Sequence, residues 1–199
     1  MLITAHHNII LASTSQARQQ ILQSVQLPFL AVSPRVDEDK LKKQLSISCP
    51  LKLALELAKA KALSVAKQHQ NAYIIGADQV CAVNDSFLNK AKTQQEAVLQ
   101  LNALSGKTHT QNNAFVVVHQ NKVVFSHSAK VSLTMQKLSL ASLKKYVEAD
   151  NPVGCAGSYK YESLGKYLFS RVNGNYYAVL GLNIQPLLNF FHTKKIITF

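Results

Sequence analysis

Asp78 follows an apolar run, Tyr73-Ile74-Ile75-Gly76-Ala77, and the chain then turns at Asn84-Asp85 and brings Lys90 and Lys92 back. The run predicts a buried strand, Tyr73 to Gly76, that delivers Asp78 to its end, with the two lysines on the return limb of a β-arm. An acid met by cations suits chemistry on a phosphorylated substrate. Phosphoryl transfer to water is mostly positioning and charge neutralisation, so it needs cations around the phosphates, a metal, and a base near the attacking water. The chain has 10 Asp and Glu against 22 Lys and Arg, so an acid at the end of an apolar strand is a site candidate.

The elements that must position these groups follow from patterning. His7 to Ala12 reads as a short strand ending in Ser13-Thr14-Ser15, hydroxyl residues that cap a helix with Ile21, Leu22 and Val25 on one face. Such a junction points free backbone N–H groups and the positive end of a helix dipole at an anion. Arg18, one turn in, either adds a planar fork to a phosphate or is a solvated surface arginine. Pro28 to Val32 predicts another strand, leading into Asp37-Glu38-Asp39. Three consecutive acids call for nearby cations, from side chains or a divalent metal, unless they form a solvated loop. Pro50 opens a helix to about Gln68, with Leu51, Leu55, Ala58, Ala62, Val65 and Ala66 as its apolar face. Lys59 and Lys61 fall on different sides of it, so at most one faces a given cleft.

Thr93-Gln94-Gln95-Glu96 has the form of a capping box, opening a helix with Val98, Leu99, Leu101 and Leu104 that Gly106 closes. Ala114 to Val118 and Val123 to Phe125 predict a hairpin about Gln120-Asn121-Lys122, its second strand continuing through Val131 and Leu133. Ser139 begins a helix with Leu140, Leu143, Tyr146 and Val147 inward, stopped by Asn151-Pro152. Gly154 to Gly165 is a small-residue loop with one carboxylate, Glu162. Lys166 to Val172 reads as a strand and Pro186 to Phe191 as a helix, while Thr193 to Phe199 finds no place. His109, His119 and His127 show no i, i+4 pairing and are expected as solvent-facing strand residues, not metal ligands. Cys49, Cys81 and Cys155 are too far apart for a C-x-x-C pair and read as structural thiols.

At 199 residues, 47% apolar and 16% charged, the chain fits one globular domain, 1–199. Met1 to His7 lacks the features of a secretory signal and no later run has the length of a membrane span, so a cytoplasmic protein is expected. The formal charge of +12 favours an anionic partner: nucleic acid, a membrane surface or a small phosphorylated molecule. Aromatics do not interleave with the basic residues and no helix-turn-helix or zinc pattern appears, so nucleic acid is not expected.

Taken in order, these residues resemble the Maf family of nucleoside triphosphate pyrophosphatases, from about Ile9 to Phe191. Leu11-Ala12-Ser13-Thr14-Ser15-Gln16-Ala17-Arg18 is similar to the family's L-A-S-x-S-P-x-R, and Val36-Asp37-Glu38 to its V-D-E. Leu57 to Ala62 is similar to L-A-x-x-K-A, Gly76-Ala77-Asp78 to G-[AS]-D, Leu104 to His109 to L-S-G-x-T-H, and Ala156 to Tyr159 to A-G-[AS]-[YF]. The resemblance implies an α/β fold, a long twisted mixed β-sheet flanked by helices, with two lobes around a nucleotide cleft. It implies hydrolysis between the α- and β-phosphates with Mg²⁺ or Mn²⁺, and a homodimer. Asp78 would then activate water or bind metal, with Glu38 as the second metal carboxylate. Ser13, Arg18, Lys61 and Lys90 would hold the triphosphate. Gln79 and Glu162 resemble the branch acting on 7-methyl-GTP, whereas Thr and Gln go with dTTP and UTP. The residue before Arg18, a Trp in that branch, is Ala17, and Asn89 and Ala91 replace the Gly and Pro around Lys90. Other modified nucleotides, or a catalytically weak basic binding protein linked to cell division, are the alternatives.

Overall fold

The computed structural model describes residues 3–84 and 86–199. Of the expected arm, the turn residue Asp85 lies outside them. A small antiparallel pair, β1 (Thr4–Ala5) with a strand near the carboxyl end, precedes the main sheet. In that sheet β2 (Ile9–Ala12) lies parallel to and between the short edge strand β3 (Leu30–Ala31) and the first part of β4 (Tyr73–Val83). All four residues of β2 are buried, which is why its sequence is uninterrupted apolar: a strand covered on both faces has no polar side to show. Ile9 and Leu11 face a core with Ile75, Phe115 and Val117, while Ile10 and Ala12 face another with Ile74 and Val116.

Beyond β4 the sheet turns antiparallel. β5 (Ser86–Leu88) folds back on Cys81 to Val83, and β6 (Thr108–His119) pairs along most of β4. β7 (Lys122–Met135) and β8 (Phe169–Asn173) complete the order β3-β2-β4-β6-β7-β8. Gln120 and Asn121 both take positive φ, the two-residue hairpin geometry whose twist matches the strands it joins. The hairpin is much longer than its apolar stretches implied, because the polar run Thr108 to Asn113 stays in the ladder. Its buried amides find partners there: Asn112 Nδ2 donates to the Val80 carbonyl at 3.1 Å, and Asn113 Nδ2 to the Asp78 carbonyl at 3.3 Å.

Helices cover the sheet. α1 (Gln16–Ser24) buries Ile21 and Leu22 and is capped by Ser15. α2 (Glu38–Leu45) removes the solvated-loop alternative for the acidic run: Asp37 accepts from the Lys40 N–H, and Glu38 and Asp39 occupy the first turn, where the helix dipole favours acids. α3 (Pro50–Ala66) buries Leu53, Ala54, Leu57, Ala58, Lys61 and Ala62, a face rotated from the one read through Leu51 and Leu55, which are only partly covered. α4 (Gln94–Leu104) has Thr93 accepting from the Glu96 N–H, but Glu96 reaches back to the Lys92 N–H, one residue before the cap. α5 (Leu140–Asp150) is capped by Ser139 and ends at Asn151 in the left-handed region. Leu140, expected inward, is exposed on α5, as is Leu99 on α4.

A single 3₁₀ turn, Leu164–Leu168, replaces the start of the strand expected from Lys166. The short α6 (Tyr176–Val179) and then α7 (Ile184–Thr193) follow, and β9 (Ile197–Thr198) pairs with β1. The tail without a place thus turns after α7 and ends in this strand, and Ile196 and Ile197 join the core beside Phe191.

Gly76 sets how closely α3 lies on β4. A Cβ there would stand 2.2 Å from the Ala58 carbonyl oxygen and 2.7 Å from Ala62 Cβ, so any side chain pushes the helix off the strand. Gly76→Ala is expected to lower stability by about 2 kcal/mol, as overpacking does. Urea unfolding of the purified variant measures it.

Candidate active site

β2 ends at Ala12, opposite Gly76, while β4 runs on beside β6. The crevice left past the end of β2 is where ligands sit in open sheets with parallel strands, outside their carboxyl ends. Asp78 lies there, in the middle of its own strand, not at its end as the apolar run implied. The pairing of Asp78 with Ala114 carries the strand through, and it is the neighbour that stops.

A cleft of about 530 Å³ opens at this point, and Ser13, Ala17, Arg18, Glu38, Lys61, Asp78, Gln79, Lys90 and Glu162 all line it. The residues arrive from the β2–α1 junction, α2, α3, β4, the segment after β5 and the loop before the 3₁₀ turn. The loop that follows α5 forms the far wall, through Asn151, Gly154 and Ala156. Lys92 is exposed on the surface instead.

On the cleft floor Lys61, 5% exposed, donates to Asp78 Oδ1 and, at 2.8 Å, to Glu38 Oε1. Lys59 faces solvent from the other side of α3, 4.0 Å from Glu56. Burial pushes the Glu38 carboxyl up, but Lys61, with Lys90 and Lys42 beyond it, holds it below the usual value. Arg18 Nε donates to the Gly181 carbonyl at 2.9 Å and Nη1 to Ser13 Oγ at 3.3 Å. Burial lowers the Arg18 pKa while Asp78 and Glu38 act the other way. A guanidinium stays charged in such a setting, so Arg18 presents a fixed cation at the amino end of α1.

The opposite wall is a loop with two successive left-handed residues, Gly157 and Ser158. At Gly157 a Cβ would come 2.7 Å from the Tyr159 ring, so only glycine permits this fold-back. Gln111 Nε2 holds the loop, donating to the Ala156 carbonyl at 2.9 Å and to the Tyr159 hydroxyl at 2.7 Å. His109 Nε2 meets the same hydroxyl at 2.9 Å. Tyr146 OH, from α5, accepts from the Lys160 N–H at 3.0 Å. Gln79 Nε2 donates to the Val179 carbonyl at 3.0 Å, beside α6.

His109 is therefore a correction: it is 1% exposed, not solvent-facing, and burial pulls its imidazole down to about 4, so it is neutral near pH 7. Its two strand companions are half-buried, His119 stacked on Tyr73 and His127 3.0 Å from Asn183. Gln111 was missed as a residue that shapes the cleft. Extending β6 back to Thr108 would have put His109, Gln111 and Asn113 on one face by the strand period of two. Among the described residues no three His, Cys, Asp or Glu cluster as a self-sufficient metal site. Glu38 and Asp78 are the carboxylates on the floor, joined through Lys61.

A mixed α/β sheet with a cation-rich, carboxylate-floored cleft at the end of a parallel strand defines a protein built to handle a small anionic molecule. The profile of Maf-like proteins matches residues 8–194, and the chain belongs to that family. It is 36% identical over 189 residues to a protein of Legionella pneumophila (strain Lens) named nucleoside triphosphate pyrophosphatase, covering 95% of this chain and 94% of the relative. Proteins of the same name are similar to it in Bradyrhizobium diazoefficiens, 36% over 191 residues and 95% of each chain, and in Rhodopseudomonas palustris (strain BisB18), 33% over 193 residues and 96% of each.

Proposed function

We propose that this chain is a nucleoside triphosphate pyrophosphatase that opens the α–β phosphoanhydride with water, releasing monophosphate and pyrophosphate, and that it prefers 7-methyl-GTP. One observation carries the reading: a buried lysine gathers two carboxylates on the floor of a cleft walled by Ser13, Arg18 and Lys90 and reached by Gln79 and Glu162. The names of the relatives support the same reaction class.

Asp78 is assigned to take the proton of the attacking water, a role a carboxylate fills when it lies within reach of that water. Arg18, Lys90 and the Ser13 turn are assigned to the triphosphate, whose charge must be neutralised as pyrophosphate departs, while Lys61, expected among them, is taken up by Asp78 and Glu38 and is assigned to the floor instead. Glu38 and Asp78 each give one oxygen to the Lys61 ammonium, and their remaining oxygens would be an ordinary protein share of a Mg²⁺ or Mn²⁺ site completed by substrate phosphates. Bound there, the cation would neutralise and orient the phosphate oxygens. No helix in the described residues is long and apolar enough to cross a membrane. Action on free nucleotides in the cytoplasm, as a homodimer, belongs to the proposal, and light scattering of the purified chain tests the dimer.

For the base, the Glu162 carboxylate can accept from guanine N1–H and N2–H₂, and 7-methylation makes the ring cationic, which a carboxylate favours. A uracil or thymine edge offers one donor between two acceptors and suits an amide better. Ala17 leaves no stacking plate beside Arg18, but Tyr161 supplies an aromatic ring in the same cleft. Pyrophosphate release across 7-methyl-GTP, GTP, dTTP and UTP with Mg²⁺ or Mn²⁺ tests the reading. Glu162→Gln is expected to cut the kcat/KM ratio of 7-methyl-GTP to UTP by about tenfold or more, the size of one charged hydrogen-bonding contact. An unchanged ratio would remove Glu162 from base selection. No pyrophosphate from any nucleotide, with salt-dependent DNA binding, would favour a binding protein instead.

A further inference from the structure

Lys90 lies in an irregular segment between β5 and α4, so its place depends on what ties the backbone on either side. Just before it, the Asn89 carbonyl accepts from Gln100 Nε2 at 2.7 Å. Just after it, the buried Ala91 gives its carbonyl to the Gly154 N–H at 3.0 Å. Gln100 also has its other end engaged: Ser158 Oγ donates to Gln100 Oε1 at 2.7 Å. Ser158 is fully buried, in the left-handed region, within the loop that carries Glu162.

One neutral side chain thus spans the segment holding Lys90 and the loop facing the base. The amide orientation is fixed by the Asn89 carbonyl, which can only accept, so the donor must point there and the acceptor to Ser158. Glutamate lacks the donor and leucine lacks both, so the bridge needs an amide of this length. A helix-surface glutamine with no role would have no reason to use both ends on two separate segments of the same cleft.

We propose that Gln100 is a positioning residue that fixes Lys90 against the triphosphate and ties that placement to the base-facing loop. The inference rests on the phosphate role assigned to Lys90 above. It is tested with full-length wild type, Gln100→Ala, Lys90→Ala and the double variant, reading tripolyphosphate affinity by calorimetry and kcat/KM for pyrophosphate release, with thermal melting to confirm folding. Gln100→Ala is expected to weaken both by about tenfold, as loss of alignment does. In the Lys90→Ala background the same change is expected to matter by less than about twofold, because a positioning residue has nothing left to position. Gln100→Glu, which keeps the acceptor for Ser158 but sets a carboxylate against the Asn89 carbonyl, is expected to behave like Gln100→Ala. The inference is overturned alone if Lys90→Ala is impaired while Gln100→Ala and Gln100→Glu match wild type, or if the two losses multiply. If Lys90→Ala itself matches wild type, the phosphate assignment of Lys90 falls and takes the inference with it.

Discussion

Asp78→Asn is expected to lower kcat for pyrophosphate release by about 10²–10⁴-fold, the range a positioned general base contributes, while the protein stays folded. Asparagine keeps the volume of the side chain in a site that is 4% exposed, so packing is preserved. The backbone carbonyl of residue 78 still accepts from Asn113, and Lys61 still has Glu38 at 2.8 Å. What is lost is the charge that can take a proton from water and share a divalent cation with Glu38. Since Arg18 and Lys90 are untouched, KM is expected to change far less than kcat, the pattern of an interaction made in the transition state. Steady-state kinetics on the purified variant checks both; full turnover would mean that Asp78 is not the base.

Lys61→Met is expected to be the costliest change to stability. Lysine here reaches from α3 into the floor of the cleft, and its removal leaves the Asp78 and Glu38 carboxylates without their shared cation. Breaking a buried pair by removing one partner costs 3–5 kcal/mol; about 3 kcal/mol is expected here, because Arg18 remains close. The sign with pH follows from Glu38, whose folded pKa is depressed. Such a group stabilises the fold above its unfolded value, roughly 4.3, and loses that contribution as pH falls through the folded one. The deficit of Lys61→Met should therefore be larger at about pH 7 than at about pH 3, where protonation removes the uncompensated charge. Urea unfolding at the two pH values measures it, and an equal deficit at both would contradict the account of the floor.

Why so much of the cleft was legible in the sequence can be read from Ser13, Lys61 and Asp78. Each sits on or beside a regular element, so local pattern pointed to it: hydroxyls at a helix start, one of two lysines on an apolar helix, an acid after an apolar run, though the pattern put Asp78 at the end of its strand and not in the middle. The ordered motifs then tied these pieces to one family. What pattern could not show is how far a polar strand extends when its partners supply the hydrogen bonds. Thr108 to Asn113 carries no apolar alternation, yet β6 runs through it, which hid the burial of His109 and the grip of Gln111 on the late loop. The acidic run at 37–39 was ambiguous for a related reason: a short helix with no buried residue gives no hydrophobic period, and only its caps betray it. The tail at 193–199 needed β1 as a partner, a contact across almost the whole chain that no local signal encodes.

The most direct test of the central claim is product analysis of wild type and Asp78→Asn with 7-methyl-GTP and GTP in Mg²⁺ or Mn²⁺, read by ³¹P NMR. The account predicts monophosphate and pyrophosphate in equal amounts from wild type, faster from the methylated nucleotide, and both nearly abolished in Asp78→Asn. Orthophosphate with the nucleoside diphosphate, or pyrophosphate released equally by Asp78→Asn, would contradict it.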